Sequence, residues 1–154
     1  MRPTSLNHRA RSSLHVLICL LLIIIGAVGS SLAQRDGGKV NVQGLMIPGK
    51  DGALVSADLF RPDTATEKNK APMVIVSPGF QRTKETQISY SMELARRGYV
   101  TLVVDPYNQG ESTSQPPTND DPSIKPAIDY VSRTTTLSYV DKSRIGITGH
   151  SAGG

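Results

Sequence analysis

The sequence predicts an α/β fold, in which an edge hairpin precedes parallel strands with crossover helices, and an apolar helix precedes the sheet. Three observations support this prediction: short runs rich in Val and Ile, amphipathic segments between those runs, and one long apolar segment near the N-terminus. Alternation of strand and helix along a chain is typical of a parallel sheet with helical crossovers.

The first 33 residues predict a secretory signal peptide or a signal-anchor helix. Residues 14–28 are apolar, the run nearly continues to residue 33, three arginines precede it, and the first acidic residue is Asp36. A basic flank ahead of an apolar segment directs the following chain across a membrane. We therefore expect an extracytoplasmic protein, either secreted or held at the membrane by residues 14–33.

The first 33 residues, here called the leader, can either be cleaved off as a signal peptide or be retained as a membrane anchor. Ser31 and Ala33 are small residues at the positions that precede a possible cleavage before Gln34. The apolar run is also nearly long enough to span a bilayer as a retained anchor. The only cysteine, Cys19, lies within this run and is interpreted as apolar filler, so it predicts no disulfide.

The net charge of +4 says little about partners, because three of the four net positive charges belong to the leader. The rest of the chain gives no electrostatic case for nucleic acid. The sequence also contains neither a His or Cys cluster nor a phosphate-cradling glycine loop. We therefore expect no metal, nucleotide or flavin cofactor.

A Gly-rich polar linker at residues 34–39 leads into the predicted α/β domain, residues 40–154. Residues 40–47 and 54–60 predict two strands around a turn at residues 48–52, whose glycines can supply a positive φ. We expect an antiparallel hairpin at the edge of the sheet.

Three later runs, at residues 73–76, 100–104 and 145–148, are continuous and rich in Val and Ile. This pattern is typical of strands covered on both faces. Residues 61–72 and 112–122 lack periodicity and predict surface loops, the second near the expected ligand-binding edge.

Two segments between these runs predict amphipathic helices. Their apolar residues follow an i, i+4, i+7 spacing: Ile88, Met92 and Ala95 in the first, and Ile124, Ile128 and Val131 in the second. Gly98 predicts the C-terminal stop of the first helix. Ser123 is a predicted N-cap for the second, with Pro126 in its first turn.

The strongest chemical signal is a Gly-x-Ser-x-Gly pattern at residues 149–153, directly after the third buried run. A reactive serine needs a sharp strand-to-helix turn with little bulk beside it, and Gly149 and Gly153 provide that clearance around Ser151. Such a turn strains the serine backbone and aims helix N–H groups at developing negative charge. We predict that Ser151 is a catalytic nucleophile.

A second loop agrees with this prediction. Residues 77–80 follow the first buried run, where such an enzyme needs a loop that donates a backbone N–H to the oxyanion. By this geometry the two donors are the N–H groups of Phe80 and Ala152. Gly79 matters because a Cβ there could block the approach of a substrate carbonyl.

In the order of these motifs the chain resembles the first half of an α/β-hydrolase. The resemblance is carried by ELARRG at residues 93–98, NQGES at residues 108–112 and DKSRIGITGHSAGG at residues 141–154. It is closest to the dienelactone-hydrolase-like and serine-aminopeptidase-like branches. It implies that the strands before the two loops are neighbours, that the two donors converge, and that the substrate is a small ester or peptide.

Two polar residues near the motifs are interpreted as structural. Asp105 ends the second buried run, and the resemblance implies that it orders the following loop by accepting backbone N–H bonds. His150 adjoins Ser151 but points away from it in an elbow, so we expect it to pack or hydrogen-bond locally. The general base must reach Ser151 from another loop.

In this fold the acid and the histidine of the triad follow the serine, so they are expected after residue 154. A chain that stops there is expected to be inactive and, with an unpaired apolar sheet edge, prone to aggregate. For the complete protein we expect a serine hydrolase, first of all a carboxylic-ester hydrolase. An aminopeptidase-like serine peptidase and a non-catalytic, membrane-anchored binding protein of the same fold are the alternatives.

Overall fold

The structure is a computed structural model that describes residues 8–118 and 122–154. It divides into two compact units, Met1–Gly37 and Gly38–Gly154. Helix α1 (His8–Gln34) forms most of the first unit. Residues 11–34 are long and apolar enough to cross a membrane, with a mean hydropathy of 2.7, and their apolar side chains are exposed. The predicted apolar helix is therefore present, with properties that a signal peptide and an anchor share.

Within the described residues of the second unit, five strands form one mixed sheet in the order β1-β2-β4-β3-β5. Their bounds are Val40–Pro48 for β1, Leu54–Pro62 for β2, Ala71–Ser77 for β3, Val100–Val104 for β4 and Val140–Gly149 for β5. Strands β1 and β2 pair antiparallel, as do β2 and β4, whereas β3 pairs parallel with both β4 and β5. The predicted α/β class is confirmed.

The predicted edge hairpin is also confirmed. Strand β1 lies at the edge and pairs with β2 along its whole length, from Val40 opposite Pro62 to Pro48 opposite Leu54. The turn contains a short 3-10 helix, Lys50–Gly52, in which Gly52 has a φ of 78°. A left-handed backbone is inexpensive at glycine, so this residue closes the turn without strain.

Among the described residues, two helices pack against the sheet, and each contributes buried apolar residues to one of the two cores. In α2 (Ile88–Arg96) the residues Ser91, Met92 and Ala95 are buried, whereas Ile88 is on the exposed side. Gly98 follows the helix at a φ of 88°, as expected of a C-terminal stop.

The second helix, α3 (Lys125–Arg133), has the predicted proline in its first turn, but its predicted N-cap was wrong. Ile124 occupies the cap position, and no side chain caps the helix. The Ser123 hydroxyl instead accepts a hydrogen bond from the backbone N–H of Tyr107 at 2.9 Å. A serine that satisfies a neighbouring loop is unavailable to its own helix, which explains the difference.

The third predicted strand departs most from expectation. Strand β4 is completely buried, but half of the residues of β5 are exposed, and 55% of Ile147 is accessible. Strand β5 is paired along one edge only, by β3, in the described part of the chain. It also begins five residues earlier, across an interruption in register where Asp141 accepts hydrogen bonds from Ser143 and Arg144. Those two partners lower the pKa of Asp141 to about 2.

Candidate active site

The sheet brings the two predicted catalytic loops to one edge. Strands β3 and β5 are parallel neighbours, with Ser77 opposite Gly149 at their carboxyl ends. The backbone N–H of His150 donates to the carbonyl oxygen of Ser77 at 3.3 Å and extends the pairing beyond the strands. The expectation that the strands before these two loops are adjacent is confirmed.

Ser151 lies on a sharp turn directly after β5. Its φ is 55°, and it begins a short 3-10 helix, Ser151–Gly153, with Gly153 N–H donating to the His150 carbonyl at 3.0 Å. A left-handed backbone is uncommon for a residue with a Cβ and persists only where the surroundings impose it. The side chain is exposed to solvent. Ser151 therefore combines a strained backbone with an accessible hydroxyl, the two properties of a nucleophile elbow.

The two glycines of the motif hold this turn closed. A Cβ on Gly149 would overlap the carbonyl group of Gly153, and a Cβ on Gly153 would overlap the carbonyl oxygens of Ser77 and Pro78. The second overlap means that the elbow packs directly on the loop after β3. Both positions therefore require glycine because backbone approaches backbone there.

Gly79 is closer to the elbow than the sequence analysis anticipated. A Cβ at this position would lie 3.0 Å from the carbonyl oxygen of His150, 3.1 Å from His150 Nδ1 and 3.4 Å from the Cβ of Ser151. The lack of a side chain therefore lets the loop after β3 approach the serine itself. The His150 ring packs against this glycine, in keeping with its predicted local role.

A cleft of about 400 Å³ is lined by the three residues that follow Ser151, namely Ala152, Gly153 and Gly154, and by the loop after β3. Both predicted oxyanion donors, Phe80 and Ala152, contribute to its wall. Most of the remaining wall is apolar or uncharged, and it includes Pro78, Pro106, Pro122 and Ile124. The Phe80 side chain is 72% exposed. Among the described residues, no charged side chain lines this cleft.

Asp105 orders the loop after β4, as the resemblance implied. It is fully buried and accepts the backbone N–H of Glu111 at 3.0 Å. A Cβ on Gly110 would overlap the Asp105 carboxylate, so this loop closes tightly around the acid. In addition, Ser112 Oγ donates to the Asp105 carbonyl at 2.8 Å. These contacts give Asp105 a structural role at the end of β4, and this role explains its position without assigning it a part in the reaction.

One charged residue that the sequence analysis missed is Lys84, which is only 3% exposed. Its ammonium group donates to Asp105 Oδ2 at 3.1 Å, to Glu111 Oε2 at 2.7 Å and to Ser56 Oγ at 3.1 Å. Burial opposes the charged form, but the bonds to Glu111 and Asp105 outweigh it and raise the pKa of Lys84. The hydrogen bond from Lys84 in turn lowers the pKa of Glu111. The sequence around Lys84 gives no sign of this hydrogen-bond network, because each of its three acceptors lies more than twenty residues away along the chain.

Comparison with known proteins agrees with this geometry. The family model X-Pro dipeptidyl-peptidase (S15 family) matches residues 51–154. The uncharacterized protein YcjY of Escherichia coli strain K12 is 36% identical over 105 residues, which are 64% of this chain and 33% of that protein. The bis(hydroxyethyl) terephthalate hydrolase of Streptomyces coelicolor is 26% identical over 115 residues, 74% of this chain and 34% of that enzyme.

A solved structure gives the same result for the fold. Est1E from Butyrivibrio proteoclasticus, with ferulic acid bound, is 28% identical with a TM-score of 0.56 over 71% of this chain and 43% of that one. The chain spans about a third of the length of the curated relatives described above. On the match over residues 51–154, the chain belongs to the X-Pro dipeptidyl-peptidase (S15) family of serine hydrolases and has the α/β-hydrolase fold.

Proposed function

We propose that the full-length protein is a carboxylic-ester hydrolase with Ser151 as its nucleophile. The observation that carries this proposal is the strained, exposed Ser151 at the end of β5, packed against the loop that follows β3. A serine in this position can attack a carbonyl carbon bound in the neighbouring cleft. The turn at Ser151 stays closed because Gly149 and Gly153 lie directly against backbone carbonyl groups, where a side chain would not fit.

The proposed reaction has two acyl-transfer steps. Ser151 Oγ attacks the ester carbonyl, a histidine carried by a later segment takes its proton, and an acid orients that histidine. The N–H groups of Phe80 and Ala152 stabilise the oxyanion. Collapse of the tetrahedral intermediate breaks the bond to the alkoxide, which takes the proton back from the histidinium and leaves as the alcohol, and an acyl-enzyme remains. Water then attacks the acyl-enzyme with the same histidine as base, which releases the acid and restores Ser151.

The uncharged wall of the cleft favours an ester over a peptide with a free N-terminus. A peptidase that recognises a free N-terminus must compensate the substrate ammonium, because an unpaired charge is costly in a partly desolvated site. The described wall offers only neutral groups for this. Two relatives support a carboxylic-ester or acid ligand: one is named as a hydrolase of bis(hydroxyethyl) terephthalate, and the other has ferulic acid bound. We therefore infer a neutral ester with a small or medium acyl group.

A second candidate is a serine peptidase, favoured by the match to the X-Pro dipeptidyl-peptidase family. It would use the same Ser151 and oxyanion donors, with the substrate ammonium bound by groups outside the described wall. The third possibility, a non-catalytic binding protein, keeps the fold but requires that the elbow no longer reacts.

Turnover of two substrates distinguishes these functions. We expect full-length protein to hydrolyse p-nitrophenyl butyrate with a kcat/KM at least about 100-fold above that for glycyl-prolyl p-nitroanilide, because a charged substrate is not compensated in the cleft. The reverse preference would establish the peptidase. Turnover of neither substrate, together with no reaction toward a fluorophosphonate, would favour the binding protein.

We also propose that residues 1–33 export the protein, that residues 34–39 are a linker and that residues 40–154 are part of the hydrolase domain. The apolar helix supports export, and its fate can be measured directly. Mass spectrometry of the protein purified from its host should give a mature N-terminus at Gln34 if the leader is cleaved. An N-terminus upstream of residue 14 on protein from the membrane fraction would establish the anchor, and intact protein in the cytoplasm would contradict export.

A further inference from the structure

We propose that Lys84 is a positioning residue for the oxyanion donor Phe80, an inference that rests on the function proposed for Ser151. Lys84 is the residue at which the loop after β3 ends and a short 3-10 helix, Lys84–Gln87, begins. We name residues 78–83 the oxyanion loop. Phe80 lies inside this loop, so the position of its N–H depends on how both loop ends are held.

The first end of the oxyanion loop is held by the sheet. Ser77 pairs with Gly149, and its carbonyl accepts the His150 N–H at 3.3 Å. The loop then turns sharply: Gln81 has a φ of 53°, and Arg82 N–H donates to the Gly79 carbonyl at 3.1 Å. The position of this turn relative to Ser151 also depends on how its second end is held.

Lys84 supplies that second anchor through two groups of one residue. Its backbone N–H donates to Asp105 Oδ1 at 2.7 Å, and its ammonium group donates to Asp105 Oδ2 at 3.1 Å. Both oxygens of this fully buried carboxylate thus accept a hydrogen bond from the same residue. Because Asp105 directly follows the buried strand β4, the oxyanion loop is tied to the centre of the sheet.

The ammonium group extends this anchor to two more segments. Ser56, on β2, accepts at 3.1 Å, and Glu111, in the loop after β4, accepts at 2.7 Å. Glu111 also donates its backbone N–H to Asp105 at 3.0 Å, which closes the network. Charge-assisted bonds of this kind are shorter and stronger than neutral ones. Loss of the ammonium would leave only the backbone N–H of Lys84 to hold this end of the oxyanion loop, and it would leave a buried carboxylate without its cation.

The expected consequence is a loss of transition-state stabilisation with little change in substrate binding. Oxyanion stabilisation depends on a donor placed at the position that the oxyanion occupies, and a displacement of about 1 Å can cost a large factor in rate. In full-length Lys84→Met we expect kcat for p-nitrophenyl butyrate to fall about 10- to 100-fold and KM to change less than about threefold.

The inhibition constant of a trifluoromethyl ketone separates positioning from stability. Such a ketone adds to the active serine as a tetrahedral oxyanion, so its Ki should rise by the same factor by which kcat/KM falls. Exhaustive titration with a fluorophosphonate counts the folded sites, and kcat is expressed per titrated site. Lys142→Met is the matched control, because this exposed lysine binds the C-terminal end of α3 through two backbone carbonyls, those of Ser132 and Thr134. We expect both its kcat and its ketone Ki to be unchanged.

A reduced number of titrated sites with unchanged kcat per site and unchanged Ki would show a merely structural lysine and overturn the proposal. If Lys84→Met does not fold, Glu111→Gln removes the charge of one acceptor, Ser56→Ala removes another acceptor, and both variants leave Asp105 in place. The Glu111 side chain is 72% exposed, so that variant tolerates the change. We expect about two- to fivefold losses in kcat, with proportional rises in Ki. Unchanged kcat and Ki in both variants would overturn the positioning role of Lys84 and leave the proposed function intact. A parent protein whose turnover does not depend on Ser151 would overturn the proposed function as well.

Discussion

Full-length Ser151→Ala is expected to lose about 10⁴- to 10⁶-fold in kcat for p-nitrophenyl butyrate, the largest effect of any single substitution in this chain. The reason is that the acyl-enzyme forms on Ser151 Oγ, and no other group can replace a nucleophile held on a strained turn. The residual rate would come from the oxyanion donors and from water bound in the cleft. The exposed Ser151 has few packing partners to lose, so the thermal midpoint should change little.

The matched control for this variant is Ser132→Ala. Ser132 is also an exposed serine, and its hydroxyl donates to the Ile128 carbonyl of its own helix at 2.7 Å. Its removal should leave kcat within about twofold of the parent, as is usual for surface substitutions away from special features. Steady-state kinetics on both variants, with circular dichroism to verify folding, make the comparison. A Ser151→Ala protein that keeps a tenth or more of the parent kcat would contradict the assignment.

The second large effect is expected at Gly149. A methyl group there would overlap the carbonyl of Gly153, so the elbow must open before the side chain fits. Opening moves both Ser151 and the N–H of Ala152, and such displacements cost about 100-fold or more in rate. We therefore expect Gly149→Ala to lower kcat by about 10²- to 10³-fold and to slow fluorophosphonate labelling by a similar factor.

Gly146→Ala is the control for this steric argument. Gly146 lies on the same strand, three residues earlier, and a Cβ there meets nothing within 4 Å. It should label at the parental rate. Equal labelling of the Gly149 and Gly146 variants would mean that the elbow is not held closed by contact between Gly149 and Gly153, and the account of Ser151 strain would fail.

Much of the fold could be predicted because its signals are local. The run at residues 100–104 is apolar except for Thr101 and forms the completely buried β4, and Gly98 ends α2 with the predicted left-handed backbone. The elbow was also recognisable, since Gly149 and Gly153 flank Ser151 within five residues. In each case the chemistry that determines the structure lies within one short segment.

The structure differs from the sequence-based predictions where contacts with other side chains determine the local structure. Most of the first residues of β5 are polar and give no strand signal. Their conformation depends instead on hydrogen bonds that the Asp141 side chain accepts from Ser143 and Arg144. Ser123 would suit an N-cap, but Tyr107 takes its hydroxyl. Lys84 looks like an ordinary surface lysine until the sheet brings Asp105 and Glu111 to it. A single sequence does not reveal such partners, because their contact exists only in the folded sheet.

The buried lysine illustrates why polar groups near a site are informative. Burying a charge is unfavourable unless partners surround it, and Lys84 has three acceptors at 3.1 Å or less. Such a network fixes the relative position of the segments it joins, here β2, the end of β4 and the oxyanion loop. We therefore propose that the geometry of the site depends in part on residues that do not line the cleft.

The measurement that tests the central claim most directly is mapping of the covalent adduct on the full-length protein. The protein is treated with a fluorophosphonate, digested and sequenced by tandem mass spectrometry, with Ser151→Ala treated in parallel. We predict one adduct, on Ser151, and no adduct on the variant. An adduct on a different residue, or ester hydrolysis that survives without any adduct on Ser151, would contradict the assignment of Ser151 as the nucleophile.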